Sequence, residues 1–129
     1  MHKTGYQRYQ QVILILYCMG LFSILFTACG TTNANVVHMG ETNFDQSSIT
    51  MKKGDSIILV NDNGQIIHTI QNGIWSNGEP RPKLEPGAPS VDLSVTDGTQ
   101  HLIGPFNTDG TFHLYCTVHP GMNLTVIVK

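Results

Sequence analysis

The chain has 129 residues, a length typical of one domain, and its seven basic and nine acidic residues give a formal net charge of −2. This mild acidity gives no support for nucleic-acid binding, which depends on basic surfaces. The sequence also contains no phosphate-binding glycine loop, no nucleophile elbow and no H-E-x-x-H zinc motif. Since no catalytic arrangement of these classes is present, we expect a protein that is not an enzyme.

The N-terminal segment has the pattern of an export signal. Residues 1–11 carry Lys3 and Arg8 and no acidic residue, and residues 12–26 form an almost unbroken apolar run. A basic start, an apolar stretch of about 7–15 residues and small residues at the cleavage site are typical of a secretory signal peptide. The run is short for a membrane-spanning helix, which needs about 20 apolar residues, but an uncleaved anchor is the alternative. We predict a signal peptide over residues 1–28.

Cys29 lies in the stretch L-F-T-A-C-G, which resembles the lipobox of bacterial lipoproteins. In that family the cysteine becomes the lipidated first residue after cleavage. The usual leucine three places before it is replaced by Phe26, with Leu25 one step earlier. The resemblance implies a lipid on Cys29, a polar tether over residues 29–35, and a location at the outer face of the cytoplasmic membrane or in the periplasm. Ordinary cleavage nearby, with Cys29 incidental, is the alternative.

The exported part has an unusual cysteine content. Of the three cysteines, Cys18 lies in the predicted signal and Cys29 at its end, so Cys116 remains alone. A cysteine without a disulfide partner in an exported protein needs another explanation, and a metal ligand is one. After residue 28, five basic residues stand against nine acidic ones, a net charge of −4 that suits solubility and steering toward a basic partner.

The predicted domain, residues 36–129, consists of short β runs separated by Gly, Asn, Asp and Pro, with no sustained helical period. This pattern favours an all-β fold, a Greek-key β-sandwich or barrel of about seven to eight strands. The strands are predicted near Asn35–Met39, Ser47–Met51, Ser56–Asn61, Ile66–Gln71, Ser90–Thr96, Gly110–Cys116 and Met122–Val128.

Alternation along three of these strands brings chemically active residues to one end of the core. Successive strand side chains point to opposite faces, so Cys116 shares the inward face with Phe112 and Leu114. His68 and Met122 likewise fall on the apolar faces of their own strands. The sequence thus predicts that these polar or sulfur-containing side chains point into the sandwich.

The strongest motif is Y-C-T-V-H-P-G-M, Tyr115–Met122, which places a thiol, an imidazole and a thioether within seven residues. Soft sulfur ligands with imidazole select copper, and two histidines, one cysteine and a weak axial methionine are typical of a blue-copper site. The second histidine must come from elsewhere and point inward, and His68 meets both conditions. The alternatives are a zinc site, a Cys–His nucleophile pair, or Cys116 and Met122 as ordinary core residues.

The spacing C-x₂-H-x₂-M, with Pro120 after His119, resembles the short ligand loop of amicyanin-like cupredoxins. The wider pattern G-P-F-x₃-G-x-F-x-x-Y-C over Gly104–Cys116, with G-D-x-I-x-x-x-N over Gly54–Asn61, resembles plastocyanin-like cupredoxins generally. The resemblance covers about Val36–Lys129. It implies the cupredoxin fold and one type 1 copper ion cycling between Cu(I) and Cu(II), with the ligands His68, Cys116, His119 and Met122.

The resemblance also implies a function, the transfer of single electrons to a cytochrome, an oxidase or another copper protein. We expect electrons to pass through His119, whose loop neighbours Pro120 and Gly121 offer a small apolar docking surface. We expect no nucleic-acid partner, membrane association through the lipid on Cys29, and a monomer. A copper chaperone or storage protein is the alternative function, and a cupredoxin domain used only for interaction is a third.

The chain departs from the family at two points. Cupredoxins usually carry Asn directly after the first histidine ligand, where it tethers the ligand loop, and this chain has Thr69. The second departure is the separation of 48 positions between His68 and Cys116, more than in a compact plastocyanin. The stretch Asn72–Pro89 accounts for the excess.

The stretch Asn72–Pro89 contains four of the six prolines and interrupts the strand pattern. It is too long for a tight hairpin, so we predict a loop, either ordered and functional or flexible. Trp75 in this loop either covers the metal end or packs locally. Four charged residues indicate a solvated loop surface: Glu79, Arg81, Lys83 and Glu85. We expect three further histidines to be surface residues rather than ligands: His38, His101 and His113.

Overall fold

A computed structural model describes residues 34–96 and 98–129 of the chain. The predicted signal peptide, residues 1–28, and residues 29–33 of the predicted tether lie outside these described residues. The first strand includes Ala34 and Asn35, the last two residues assigned to the tether. In the described ranges there is no helix long and apolar enough to cross a membrane.

The described residues form nine β-strands, which confirms the predicted all-β fold. They are β1 (Ala34–Met39), β2 (Ser48–Met51), β3 (Ser56–Asn61), β4 (His68–Ser76), β5 (Glu79–Pro82), β6 (Asp92–Val95), β7 (Gln100–Ile103), β8 (Gly110–Cys116) and β9 (Asn123–Val128).

The strands are arranged in two sheets. One has the order β1-β3-β7, and the other has the order β2-β9-β8-β4-β5, with β6 also paired to β4. Strand β1 runs parallel to β3 and β2 runs parallel to β9, whereas the central pairs β4–β8 and β8–β9 are antiparallel. Two such sheets bury their inner faces against each other and so form one core.

The core contains the residues that alternation placed inward. On β8, Phe112 and Leu114 are 2% and 0% exposed, and the adjoining positions of β9 are equally buried. Burying one such side chain contributes roughly 1.5–3 kcal/mol, so the inward faces fix the register of both sheets. The same register carries Cys116 to the inner side of β8, where it is 0% exposed.

The prediction that Asn72–Pro89 is a loop was wrong over its first half. Strand β4 continues to Ser76, and Asn77 and Gly78 turn the chain into β5. Both turn residues have positive φ, 54° and 78°, as the tightest hairpin turn requires. The prolines are tolerated because β5 is an exposed edge strand paired only with β4 among the described strands.

The structure also differs from the prediction at other strands. Strand β7, paired with β3, was not predicted at all. Strand β4 begins at His68 rather than Ile66, and β6 covers only Asp92–Val95 of the predicted Ser90–Thr96. Short strands such as these are stabilised by pairing with longer neighbouring strands. Their own residues therefore do not predict them.

Candidate metal centre

The four predicted ligands lie at one end of the sandwich. His68 is the first residue of β4, Cys116 is the last residue of β8, and Met122 immediately precedes β9. His119 lies in the connection between β8 and β9. Antiparallel pairing of β4 with β8 sets Ile70 opposite Cys116, so the start of one strand meets the end of the other.

Three donor groups lie close enough to share one ion. One ligand atom each from His68, Cys116 and His119 lies within 4.8 Å of the other two. The Cys116 Sγ is 3.3 Å from the His119 Nδ1, and the two imidazole rings have centroids 4.8 Å apart at 56°. These distances suit convergence on a single centre rather than side-by-side packing.

His68 is fully buried, and neither of its ring nitrogens has a hydrogen-bond partner. Buried polar atoms are normally hydrogen-bonded, and each exception needs an explanation. Burial, and secondarily the neighbouring His119, holds the pKa of His68 below its ordinary value, so its imidazole favours the neutral form. A neutral imidazole that has unpaired nitrogens and offers one of them within 4.8 Å of a thiol sulfur has the chemistry of a metal ligand.

Main-chain hydrogen bonds fix the shape of the ligand loop. The Met122 N–H donates to the His119 carbonyl at 3.1 Å, and the Cys116 N–H donates to the Met122 carbonyl at 3.0 Å. The side chain of Met122 is 2% exposed. Gly121 has a φ of 82°, which a glycine adopts without strain. These main-chain bonds therefore hold the backbone of the three candidate donors in one compact turn.

Thr69 contributes to this end through its main chain. Its carbonyl accepts a hydrogen bond of 2.8 Å from the Thr117 N–H, which ties the residue after His68 to the residue after Cys116. The chain before His68 is held as well, because the buried Asn61 donates from Nδ2 to the Ile66 carbonyl at 2.7 Å. Asn61 was noted in the sequence only as the last residue of the motif Gly54–Asn61, and this contact was not predicted.

Trp75 lies against the residue that carries the thiol. Its indole Nε1 donates a hydrogen bond of 2.7 Å to the Cys116 carbonyl, and its ring meets Tyr115 edge-on, with centroids 6.2 Å apart. Asn123, which sequence reasoning did not single out, bonds the main chain of Trp75. No pattern in the sequence predicts these contacts, because they join residues that are 41 and 48 positions apart.

The remaining histidines of the described ranges do not join this cluster. His38 is exposed, and a hydrogen bond of 2.9 Å to the Asp62 carboxylate raises its pKa above the ordinary value. His113 pairs with Glu85 at 2.9 Å, with side chains 30% and 14% exposed. The interpretation of Glu85 as part of a solvated loop surface was therefore wrong, since this residue packs against β8.

A two-sheet β-sandwich with two clustered histidines and a cysteine at one end, next to a buried methionine, has the cupredoxin class of fold and the donor types of a type 1 copper site. Among solved structures, the chain is similar to amicyanin. It matches amicyanin from Paracoccus versutus with 21% identity and a TM-score of 0.54, over 75% of this chain and 82% of that one.

Two amicyanin variants give the same result. A Cu(I) form of one point mutant matches with 19% identity and a TM-score of 0.56, over 74% of this chain and 82% of that one. A reduced form of another matches with 20% identity and a TM-score of 0.56, over 75% and 83%. No protein-family model and no curated protein sequence matches the chain. At this level of identity, the likeness establishes the cupredoxin fold.

Proposed function

We propose that this protein carries single electrons by means of one type 1 copper ion bound by His68, Cys116, His119 and Met122. The observation that carries the proposal is the convergence of two imidazoles and a thiol within 4.8 Å, beside a buried methionine. Imidazole, thiolate and thioether together are the ligands of blue copper. The Cu(I) form of an amicyanin, whose fold this chain shares, supports the choice of metal.

The donor chemistry favours copper over zinc. Structural zinc sites use four strong ligands from cysteine, histidine or carboxylate, whereas the fourth group here is a thioether, which suits copper. The cluster formed by the described residues contains no carboxylate. Cys116 binds as the thiolate, and the neutral His68 needs no deprotonation before it binds.

Bound copper supplies a couple between Cu(I) and Cu(II), which changes by one electron. The chain contributes positions that are fixed before the metal arrives, because His68 and Cys116 end two paired strands and hydrogen bonds close the ligand loop. Little has to move when the charge of the site changes. This rigidity favours an electron carrier over a copper chaperone, which must release its cargo through an accessible site.

His119 is the candidate route for electrons. His68 is fully buried, whereas His119 is half-buried and has apolar surface beside it. Val118 is 54% exposed, and Ile67 next to His68 is 59% exposed. An apolar surface around the one accessible ligand allows a redox partner to approach closely, while the net acidity of the domain favours a partner with a basic rim.

Replacing Pro120 by Glu should therefore slow electron exchange with the physiological partner. A carboxylate that loses its water at the interface costs binding energy, so we expect a rate reduction on the order of tenfold. The visible spectrum should stay unchanged, because Pro120 is exposed and provides no ligand. Stopped-flow kinetics of reduction by the partner measures the effect.

Leu102→Glu serves as the matched control, since Leu102 is 66% exposed on β7 of the other sheet. It introduces the same charge at an apolar surface position and should leave the exchange rate unaltered. Equal rates for Pro120→Glu and the unmodified protein would contradict docking at His119.

We propose further that the protein is exported and anchored by a lipid on Cys29. The predicted signal over residues 1–28 and the lipobox-like stretch support this location. Ala34 pairs with Ser56 at the start of β3, whereas Asn61 at the end of β3 bonds the chain next to His68. A tether leading to Ala34 therefore enters the domain at the end opposite the proposed copper site. This arrangement leaves His119 free for a redox partner. We propose that the domain acts as a monomer.

Mass spectrometry of the membrane fraction tests the anchor. We expect the mature N-terminal peptide to begin at Cys29 and to carry the mass of a diacylglycerol group. Cys29→Ser should release the domain from the membrane fraction or leave its signal uncleaved. An unmodified Cys29 in the mature protein would exclude the lipid anchor without touching the copper proposal.

A further inference from the structure

The hairpin formed by β4 and β5 brings an indole onto the metal end of the sandwich. After Asn72, β4 leaves β8, and from Gly73 onward it pairs with β5 instead. Gly73 has a φ of 132°, which lies in the region that favours glycine. This bend allows Trp75 to lie against Tyr115 and Asn123 rather than continue along β8.

The indole makes one polar contact, and it is with the main chain of a proposed ligand. Trp75 Nε1 donates to the Cys116 carbonyl at 2.7 Å, which is at the short end of the range for an N–H···O hydrogen bond. The bond spans 41 positions of the sequence. It therefore depends on the bend at Gly73 and not on local strand geometry.

The main chain of Trp75 is held from the ligand side as well. Its N–H donates to Asn123 Oδ1 at 2.7 Å, and its carbonyl accepts from Asn123 Nδ2 at 3.1 Å. Asn123 directly follows Met122 and pairs with Tyr115 across β8 and β9. The reciprocal pair fixes the indole relative to the same loop that presents Met122.

Together these contacts immobilise the peptide groups on both sides of the Cys116 Cα. The Cys116 N–H donates to Met122, its carbonyl accepts from Trp75, and the following N–H of Thr117 donates to Thr69. With all three groups engaged, the direction of the Cys116 side chain is set by the protein. Contacts of this kind around a ligand both orient it and tune the metal.

We infer that Trp75 is a positioning residue of the proposed copper centre, which holds Cys116 through its carbonyl and favours the reduced state of the site. The inference rests on the proposed copper function. The indole N–H presents the positive end of its dipole to the ligand residue. A positive dipole end stabilises the state that carries one more electron, so the reduction potential is higher with the bond than without it.

The inference also accounts for the departure at Thr69. The family resemblance predicts Asn at this position as the tether of the ligand loop, and Thr69 supplies a tether through its carbonyl alone among the contacts described. Trp75 adds a bond to the Cys116 carbonyl, and Asn123 holds the main chain of Trp75 in place. The hairpin thereby takes over part of the tethering that an asparagine performs elsewhere.

The metal-free protein provides the first test. The chain has a single tryptophan, so its indole N–H gives one unambiguous nuclear magnetic resonance signal. We expect a through-hydrogen-bond coupling between Trp75 Nε1 and the Cys116 carbonyl carbon, and slow exchange of the indole proton with solvent. Fast exchange without coupling would overturn the inference before any metal is added.

Trp75→Phe provides the second test, because it keeps an aromatic ring against Tyr115 and removes the N–H. We expect a lower reduction potential and a shifted thiolate-to-copper absorption band. Tyr115→Phe is the matched control, since it alters the same aromatic pair and leaves the indole bond in place. It should change neither quantity.

An isosteric replacement separates the hydrogen bond from the packing. Incorporation of β-(3-benzothienyl)alanine at the single tryptophan position exchanges the N–H for sulfur and keeps the ring size. It therefore tests whether the hydrogen bond sets the reduction potential even if Trp75→Phe folds poorly. A potential that falls in this protein supports the inference. If the substituted protein is blue and its reduction potential is unchanged, the inference about Trp75 is wrong but the copper function stands. If the unmodified protein shows no blue band with copper, the proposed copper function is wrong as well.

Discussion

Cys116→Ser is expected to abolish the intense visible absorption that copper gives with the unmodified protein. The thiol of Cys116 is the free thiol of the described residues and is buried, so no other sulfur there can supply a thiolate. A serine hydroxyl stays protonated near neutral pH and is a hard, weak donor for copper. Removing a group that only contacts a metal ligand lowers metal affinity about 10–100-fold. Because Cys116→Ser removes a proposed ligand itself, we expect the copper affinity to fall by at least about 100-fold. Titration with Cu(II), followed by visible absorption and electron paramagnetic resonance, measures both effects.

The control for this substitution is Cys29→Ser, which changes a cysteine outside the proposed site and should leave the blue band intact. Folding must be checked as well, because a buried hydroxyl without a partner costs about 1–3 kcal/mol. Circular dichroism of the metal-free Cys116→Ser protein provides that check. An intense band with narrow copper hyperfine splitting that survives in the folded variant would show that another group binds the metal and would refute the proposed site.

The core and the cluster could be predicted because both follow from local alternation. On β8, Phe112, Leu114 and Cys116 recur at every second position, and the structure buries all three. A period of two places such residues on one face whatever the neighbouring strands are. The short spacing between Cys116, His119 and Met122 likewise confines them to one turn. Their role as copper ligands stays a prediction.

The hairpin of β4 and β5 was missed although its turn carries a familiar signal. Asn-Gly is the strongest short-range indicator of a two-residue hairpin, and Asn77-Gly78 forms such a turn. The prolines around it argued against a strand, because proline cannot donate to a ladder. Pro80 and Pro82 lie on an edge strand, where one side needs no donor. Whether a strand lies at an edge is decided by the whole sheet.

The contacts that surround the ligands were beyond the sequence for a different reason. Trp75 reaches Cys116, and Glu85 reaches His113, only after the chain has folded back across the sheet. A positional pattern specifies which face a residue occupies, but it does not specify which distant residue meets it there. Such contacts involve one hydrogen bond each and leave no periodic trace.

Gly73→Ala is expected to cost about 3–5 kcal/mol of stability, because it combines backbone strain with overlap. At a φ of 132°, an added Cβ would overlap the Arg81 carbonyl oxygen and lie 2.8 Å from the Pro82 Cα. These are main-chain atoms, so no side-chain rotation relieves the overlap. Urea unfolding of the metal-free protein measures the loss, and the indole signal of Trp75 reports whether the hairpin has moved off Cys116.

Gly78→Ala at the tip of the same hairpin separates strain from overlap. Its φ is 78°, but an added Cβ there meets nothing within 4 Å, so only the cost of a left-handed alanine remains, about 1 kcal/mol. Because Gly78 lies at the turn, this variant should keep the bond between Trp75 and Cys116. If the two alanine variants lose equal stability, the close approach of Gly73 to β5 contributes nothing. If Gly73→Ala loses far more, the bend at Gly73 is what seats the hairpin against the metal end.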